Sequence, residues 1–184
     1  MEKKQLFPPT IIWRHRKENL RKCSLSGLES REDLHFLTYP RQPLPAMDEY
    51  VVLVMDKTAP LLSSNDRDRG LFILDATWRY AEPMGKAAEP ALVKAVRRSL
   101  PDTLRTAYPR RQEDCPDPGR GLASIEALYA SYYLLGRDTS GLLDNYYWKN
   151  KFLEDNFDLS CSHVSLERLV PNTCTTAFPS NAPK

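Results

Sequence analysis

The side chains most suited to chemistry lie where an apolar run ends at Asp75. Residues 71–74 are all large and apolar, which is typical of a strand buried on both faces of a parallel sheet. Asp75, Thr77 and Trp78 follow at once with a carboxylate, a hydroxyl and an indole. Ligands of open α/β sheets bind outside the carboxyl ends of the strands, so a ligand site is predicted here. Alternatively, Asp75 and Thr77 cap the next helix while Trp78 fills the core.

Positive charge is concentrated in two segments, although the formal net charge is only +2. Residues 14–22 hold five Lys and Arg residues against Glu18, and residues 97–111 hold five Arg residues against Asp102. Because the guanidinium group matches phosphate geometry, both segments are candidate phosphate-binding surfaces. Solvated surface charge is the alternative. The candidate contacts are Arg14, Arg16, Lys22, Arg97, Arg98, Arg110 and Arg111.

The composition favours a globular protein without a metal. An apolar fraction of 41% supplies a core for one domain. No long apolar run or export signal is present, so a cytoplasmic protein that does not span a membrane is expected. The four cysteines are far apart and no two of the three histidines have ligand spacing, so no metal site is predicted. Glycine-rich nucleotide-binding motifs are absent.

The elements that must position these residues alternate between strands and helices. Strands are predicted over residues 10–13, 34–39, 50–55, 70–74 and 104–107. Helices are predicted as two short ones within 79–96, a strongly periodic one over 122–135 closed by Gly136, and an amphipathic one over 142–153. The predicted organisation is a flexible arm over 1–9, one α/β domain over 10–159 and a poorly ordered tail over 160–184.

Four segments, in chain order, resemble a known group of enzymes. They are residues 22–28 (Lys-Cys-Ser-Leu-Ser-Gly-Leu), residues 74–78 (Leu-Asp-Ala-Thr-Trp), the pair 99–101 (Ser-Leu-Pro) and 122–127 (Leu-Ala-Ser-Ile-Glu-Ala), and the ending 147–156. The chain from 10 to 157 is similar to the S-adenosylmethionine-dependent aminocarboxypropyltransferases of small-subunit ribosomal RNA and to their DTW-domain relatives. The resemblance implies a SPOUT-class α/β fold: a mostly parallel sheet flanked by helices, with a small N-terminal α/β portion and a C-terminal trefoil knot.

The resemblance also implies S-adenosylmethionine as cofactor and assigns residues to its site. Ser24 would bind the methionine part, and Ser124 would begin a helix whose free N–H groups favour a carboxylate. Trp78 would pack against the cofactor or the base, and Arg120 stands where the family usually has Tyr. The expected cofactor-binding set is Ser24, Phe72, Trp78, Leu100, Arg120, Leu122 and Ser124. Asp75 is the predicted catalytic residue, which orients the acceptor imide and takes its proton.

The implied activity is transfer of the 3-amino-3-carboxypropyl group to a uridine or pseudouridine of RNA. The expected partner is ribosomal RNA or transfer RNA, held by the basic residues named above. Residues 108–112 depart from the family's Asn-Pro-x-Asn-Tyr-Gly-like segment, which leaves the acceptor open. Two alternatives also stay open. One is an RNA methyltransferase of the same fold, and the other is a non-catalytic RNA-binding ribosome-assembly factor.

Overall fold

The protein is a parallel sheet with helices on both faces. The structure, a computed structural model, describes residues 7–109 and 121–157, apart from the side chain of Trp78. Its strands are β1 (Thr10–His15), β2 (Leu34–Tyr39), β3 (Tyr50–Leu53), β4 (Gly70–Asp75) and β5 (Val96–Arg98). They form one sheet in the order β2-β1-β4-β3-β5, and every neighbouring pair is parallel. This confirms the α/β class and the mostly parallel sheet.

In the described ranges, three helices cover the sheet: α1 (Trp78–Ala88), α2 (Ser124–Leu134) and α3 (Lys149–Asn156). Successive side chains of a strand point to opposite faces, so each strand contributes to two cores. Phe72 packs with Met84 of α1 on one face. Leu71 and Ile73 pack with α2 and α3 on the other. The prediction of a strand buried on both faces is therefore confirmed for β4.

The register between β1 and β4 positions the site. Trp13 lies opposite Leu74, and Arg14 lies opposite Asp75. Because the two strands are parallel, both reach the same edge of the sheet with their carboxyl ends. A cation and an anion that are far apart in sequence thus become neighbours at the edge where ligands of such sheets bind.

α2 ends just before Gly136, the residue predicted to close it. Gly136 has a φ of +66°, in the left-handed region that glycine adopts without strain. The N–H of Arg137 donates to the carbonyl of Tyr132 at 2.9 Å, and the N–H of Gly136 donates to that of Tyr133 at 3.1 Å. These bonds satisfy carbonyl groups that the end of a helix leaves without partners.

Three predicted elements differ in the structure. Residues 104–107 form no strand, because the N–H of Ala107 donates to the Glu126 carboxylate and that of Arg105 donates to Asn156. The second helix predicted before residue 96 is only a short 3₁₀ turn, Glu89–Ala91, and Val96 begins β5 instead. The last helix begins at Lys149, since residues 142–148 form turns.

Two of the predicted segments lie wholly or partly outside the described residues. The tail over 160–184 lies wholly outside, and of the arm over 1–9 only residues 7–9 are described. Among the helices of the described ranges, none combines the length and the apolar character that crossing a membrane requires.

Candidate functional site

A cleft of about 1370 Å³ opens at the carboxyl edge of the sheet. Its walls come from the ends of β3 and β4, from the segments that follow them, and from the start of α2. Such clefts in α/β proteins bind small ligands because loops from several strands converge there. Eight residues of the predicted cofactor, catalytic and RNA sets line it: Lys22, Ser24, Phe72, Asp75, Arg97, Leu100, Leu122 and Ser124.

Asp75 is the hub of the cleft wall. Its Oδ2 accepts a hydrogen bond from Nε of Arg14 at 2.8 Å, and its Oδ1 accepts one from Oγ of Ser124 at 2.8 Å. Asp75 is 4% exposed and Arg14 is 8% exposed, so the ion pair is buried. Through these two bonds, Asp75 connects the ends of β1 and β4 to Ser124, the first residue of α2. Both carboxylate oxygens of Asp75 are therefore engaged by protein groups.

The segment that follows β1 adds two more contacts to this wall. Sγ of Cys23 donates to Oδ2 of Asp75 at 3.4 Å, and Oγ of Ser24 accepts the backbone N–H of Ile125 at 3.3 Å. The first two of the four segments that carry the resemblance thus meet at the start of α2. One of the helical N–H groups predicted to bind a ligand carboxylate is occupied by Ser24.

The thiol of Cys23 is a hydrogen-bond donor and not a nucleophile. Burial, followed by the negative charge of Asp75, raises its pKa to about 12. A thiol with such a pKa is protonated at neutral pH, and the thiolate is the reactive form. Cys23 therefore serves to hold Asp75.

Glu126 fixes the start of α2 from inside. It is fully buried, and its Oε2 accepts the backbone N–H of Ala123 and the hydroxyl of Thr106, both at 2.7 Å. Its Oε1 accepts the N–H of Ala107 at 2.8 Å and the hydroxyl of Tyr146 at 2.7 Å. With four donors around it, one carboxylate ties α2 to the segment at 104–108, which borders the cleft.

Glu18 is a second carboxylate in the cleft. It is half-buried, and no described residue forms an ion pair with it. Burial and the charge of Asp75 raise its pKa, against the opposing influence of the Thr77 backbone N–H and of Arg14. In the sequence, Glu18 stands out only as the single acidic residue of the basic run 14–22. A single carboxylate among five cations is the sequence feature that could have indicated a role for Glu18.

Six of the seven predicted phosphate contacts fall into three groups. Arg16, Lys22 and Arg97 are exposed, although Arg97 also pairs with Glu89 at 2.7 Å. Arg98 is half-buried and holds both carboxylate oxygens of Asp66, at 2.9 and 3.0 Å. Arg110 and Arg111 lie outside the described residues.

Arg14 requires a correction. Its guanidinium is buried, donates to Asp75 and Glu29, and lies 4.6 Å from the centre of the Phe36 ring, so its contacts are made within the fold. The predicted RNA contact is therefore a structural cation. Sequence reasoning missed this because the partner, Asp75, is brought close only by the pairing of β1 with β4.

Two predicted cofactor contacts cannot be placed. Arg120 lies outside the described residues, and so does the side chain of Trp78, whose backbone begins α1. Over the described part of the chain, no group of three or more His, Cys, Asp or Glu side chains is arranged to hold a metal ion.

One solved structure has a similar fold. It is the "SAM-dependent rRNA:acp-transferase Tsr3 from Vulcanisaeta distributa", with a TM-score of 0.59 and 23% sequence identity. The alignment covers 82% of this chain and 79% of that chain. No family model matches the sequence, and no curated protein matches it. The likeness shows a shared fold.

Proposed function

We propose that this protein transfers the 3-amino-3-carboxypropyl group of S-adenosylmethionine to a uridine or pseudouridine of RNA, with ribosomal RNA as the favoured acceptor. One observation carries the proposal. Ser24, Asp75, Leu100 and Ser124 come from three of the four segments of the resemblance and converge on one cleft, in a fold similar to that of an rRNA:acp-transferase. Membership of the SPOUT class, with its C-terminal knot, belongs to the same proposal.

The residues of the cleft suit the proposed cofactor. Its volume exceeds that of a typical small-ligand pocket, which leaves room for a nucleotide beside the cofactor. Phe72, Leu100 and Leu122 offer apolar surface, and the start of α2 offers the positive end of a helix dipole to a carboxylate. When bound, S-adenosylmethionine supplies a carbon that its sulfonium activates toward displacement.

The protein's own contribution is mainly positioning. Aligning a nucleophile with a reacting carbon in a closed site can remove roughly 7–11 kcal/mol of the barrier. Ser24 and Ser124 would orient the methionine part. Of the two roles predicted for Asp75, orientation fits the geometry better, because both of its oxygens already accept hydrogen bonds.

The proposed acceptor would approach over a basic rim. Arg16, Lys22 and Arg97 are exposed, and Lys22 and Arg97 line the cleft. Arginine and lysine neutralise phosphate and make RNA binding depend on salt. Arg110 and Arg111, which fall outside the described residues, are proposed to extend this surface.

The products decide between this function and its alternatives. The pure protein is incubated with S-adenosylmethionine and cellular RNA, and the small-molecule products are separated. We expect methylthioadenosine, at a rate that Asp75→Asn lowers at least tenfold and that Glu154→Gln, an exposed change on α3, leaves unchanged. S-adenosylhomocysteine would instead identify a methyltransferase. Neither product, with no heat of S-adenosylmethionine binding by calorimetry, would identify a non-catalytic protein.

A further inference from the structure

Six carboxylates line the cleft, and two of them, Asp75 and Glu18, are at least partly buried. Asp75 and Glu18 have different surroundings. Asp75 is almost fully buried and accepts hydrogen bonds from Arg14, Ser124 and Cys23. Both of its oxygens accept hydrogen bonds, and it is the buried partner of the Arg14 guanidinium, whose other partner, Glu29, is exposed. Asp75 is thus well placed to hold the site together and poorly placed to act as a base.

Glu18 has the opposite surroundings. It follows β1 on the rim of the cleft, is half-buried and has no ion-pair partner among the described residues. Burial, followed by the nearby charge of Asp75, raises its pKa. A carboxylate is a better general base when its pKa moves toward the working pH.

Glu18 is flanked in sequence by cations that could bind the phosphates of RNA. Arg16, Lys17, Arg21 and Lys22 are all exposed. Glu18 lies between these cations in sequence, so RNA held by them would come close to it. A lone carboxylate in such a run weakens phosphate binding, so its presence in the cleft calls for another role.

We infer that Glu18 accepts the proton that the acceptor nitrogen loses in the transfer, while Asp75 is a positioning residue; this inference rests on the proposed function. As the nitrogen–carbon bond forms, the carbon–sulfur bond breaks and its electron pair stays on sulfur, which leaves as the neutral thioether of methylthioadenosine. The proton from the nitrogen passes to the Glu18 carboxylate and then to solvent. Charge and atoms balance without any further reactant.

Several groups set the pH response of Glu18. Asp75 of β4, Arg14 of β1 and the N–H of Thr77 before α1 act on it directly. Lys22, Cys23 and Glu82 line the same cleft. Because the base must be ionised, the single-turnover rate should rise with pH through the raised pKa of Glu18 and then level off.

A purely structural role is the competing explanation, since the Thr77 N–H near Glu18 lies at the start of α1. The experiment therefore compares Glu18→Gln and Glu18→Ala with Glu32→Gln, an exposed change in the segment between β1 and β2. Single-turnover rate, cofactor affinity by calorimetry and RNA retention are measured for each. We expect both Glu18 variants to lose roughly 10²- to 10⁴-fold in rate with cofactor affinity within threefold of the parent, and Glu32→Gln to match the parent.

Chemical rescue separates the two roles even if a variant folds poorly. Added formate should restore part of the rate of Glu18→Ala, and Glu18→Asp should keep a pH-dependent rate. A Glu18→Gln rate equal to that of the parent overturns the inference. So does a rate loss matched by an equal loss of cofactor affinity, without rescue by formate. If the parent itself releases no methylthioadenosine, the proposed function fails instead, so the two failures are distinguishable.

Discussion

The guanidinium of Arg14 contacts two carboxylates and one aromatic ring. It donates to Asp75 and to Glu29, both within 2.9 Å, and lies over the Phe36 ring. The Asp75 side is buried, whereas Glu29 is exposed and contributes less. Arg14 therefore compensates the charge of the carboxylate at the centre of the cleft.

Replacing Arg14 by Met should destabilise the protein by roughly 3–5 kcal/mol, because Asp75 would keep its burial and lose its counter-charge. The measurement is the free energy of unfolding from urea titration. Arg16→Met is the matched control, since Arg16 is exposed two residues further on and should leave that free energy nearly unchanged. An equal effect of the two substitutions would show that the pair does not stabilise the fold.

At the scale of elements, the first turn of α2 is held by a cluster of polar contacts in addition to its apolar packing. Glu126 accepts donors from Thr106, Ala107, Ala123 and Tyr146, which come from three different parts of the chain. The first turn of α2 also carries Ser124, which contacts Asp75. The position of the helix and the geometry of the cleft are thus fixed by the same few residues.

Glu126→Ala should lower the free energy of unfolding by roughly 3 kcal/mol or more, since each buried donor left without an acceptor costs about 1–3 kcal/mol. Glu154→Ala, an exposed change on α3, is the control and should leave the urea midpoint in place. Glu126→Gln keeps part of the acceptor capacity and should fall between the two. The idea would be refuted if Glu126→Ala unfolded at the same urea concentration as the parent.

The sequence predicted the elements whose burial pattern is strong and local. β4 appears where an unbroken apolar run indicates it, β2 appears where apolar and aromatic residues are concentrated, and α2 follows its helical periodicity up to Gly136. β5 was missed because it has only three residues, none of them fully buried, and therefore carries no apolar signature. Propensity is weak at such edge positions, and pairing with β3 decides the structure.

The location of the site could be predicted from the sequence. The hydrogen bonds within it could not. Asp75 was found because it ends a buried strand, which is a local signal. The Arg14–Asp75 bond joins residues 61 positions apart and depends on strand register, about which spacing along the chain says nothing. Arg14 was therefore grouped with the exposed cations around it.

At the scale of the whole molecule, a polar network connects the sheet to α2 on the side away from the cleft. The hydroxyl of Tyr132 donates to Asp33 at 3.0 Å and lies 2.9 Å from that of Thr10. Arg31 pairs with Asp33 at 2.9 Å. Burial opposes ionisation of Asp33, but the hydrogen bonds from Arg31 and Tyr132 hold its pKa below the ordinary value.

This depressed pKa predicts how stability responds to acid. The contribution of Asp33 is complete above its unfolded pKa, about 3.9, and is lost as the pH falls through its lower folded value. The gap in unfolding free energy between the parent and Asp33→Asn should therefore be constant between pH 5 and 7 and narrow below about pH 4. Thermal or urea unfolding at several pH values measures it. A gap that widens in acid would contradict the assignment.

The strand order has a consequence for how the chain is made. β4 pairs with both β1 and β3, whereas β1 and β3 do not pair with each other. β1 and β2 can pair before β4 is made, but β3 has no hydrogen bond to either of them. A nascent chain emerging from the ribosome therefore has no continuous sheet until residues 70–75 are available. The final residue of β4 is Asp75. Synthesis of this strand therefore joins β1 to β3 and at the same time provides the carboxylate at the centre of the cleft wall.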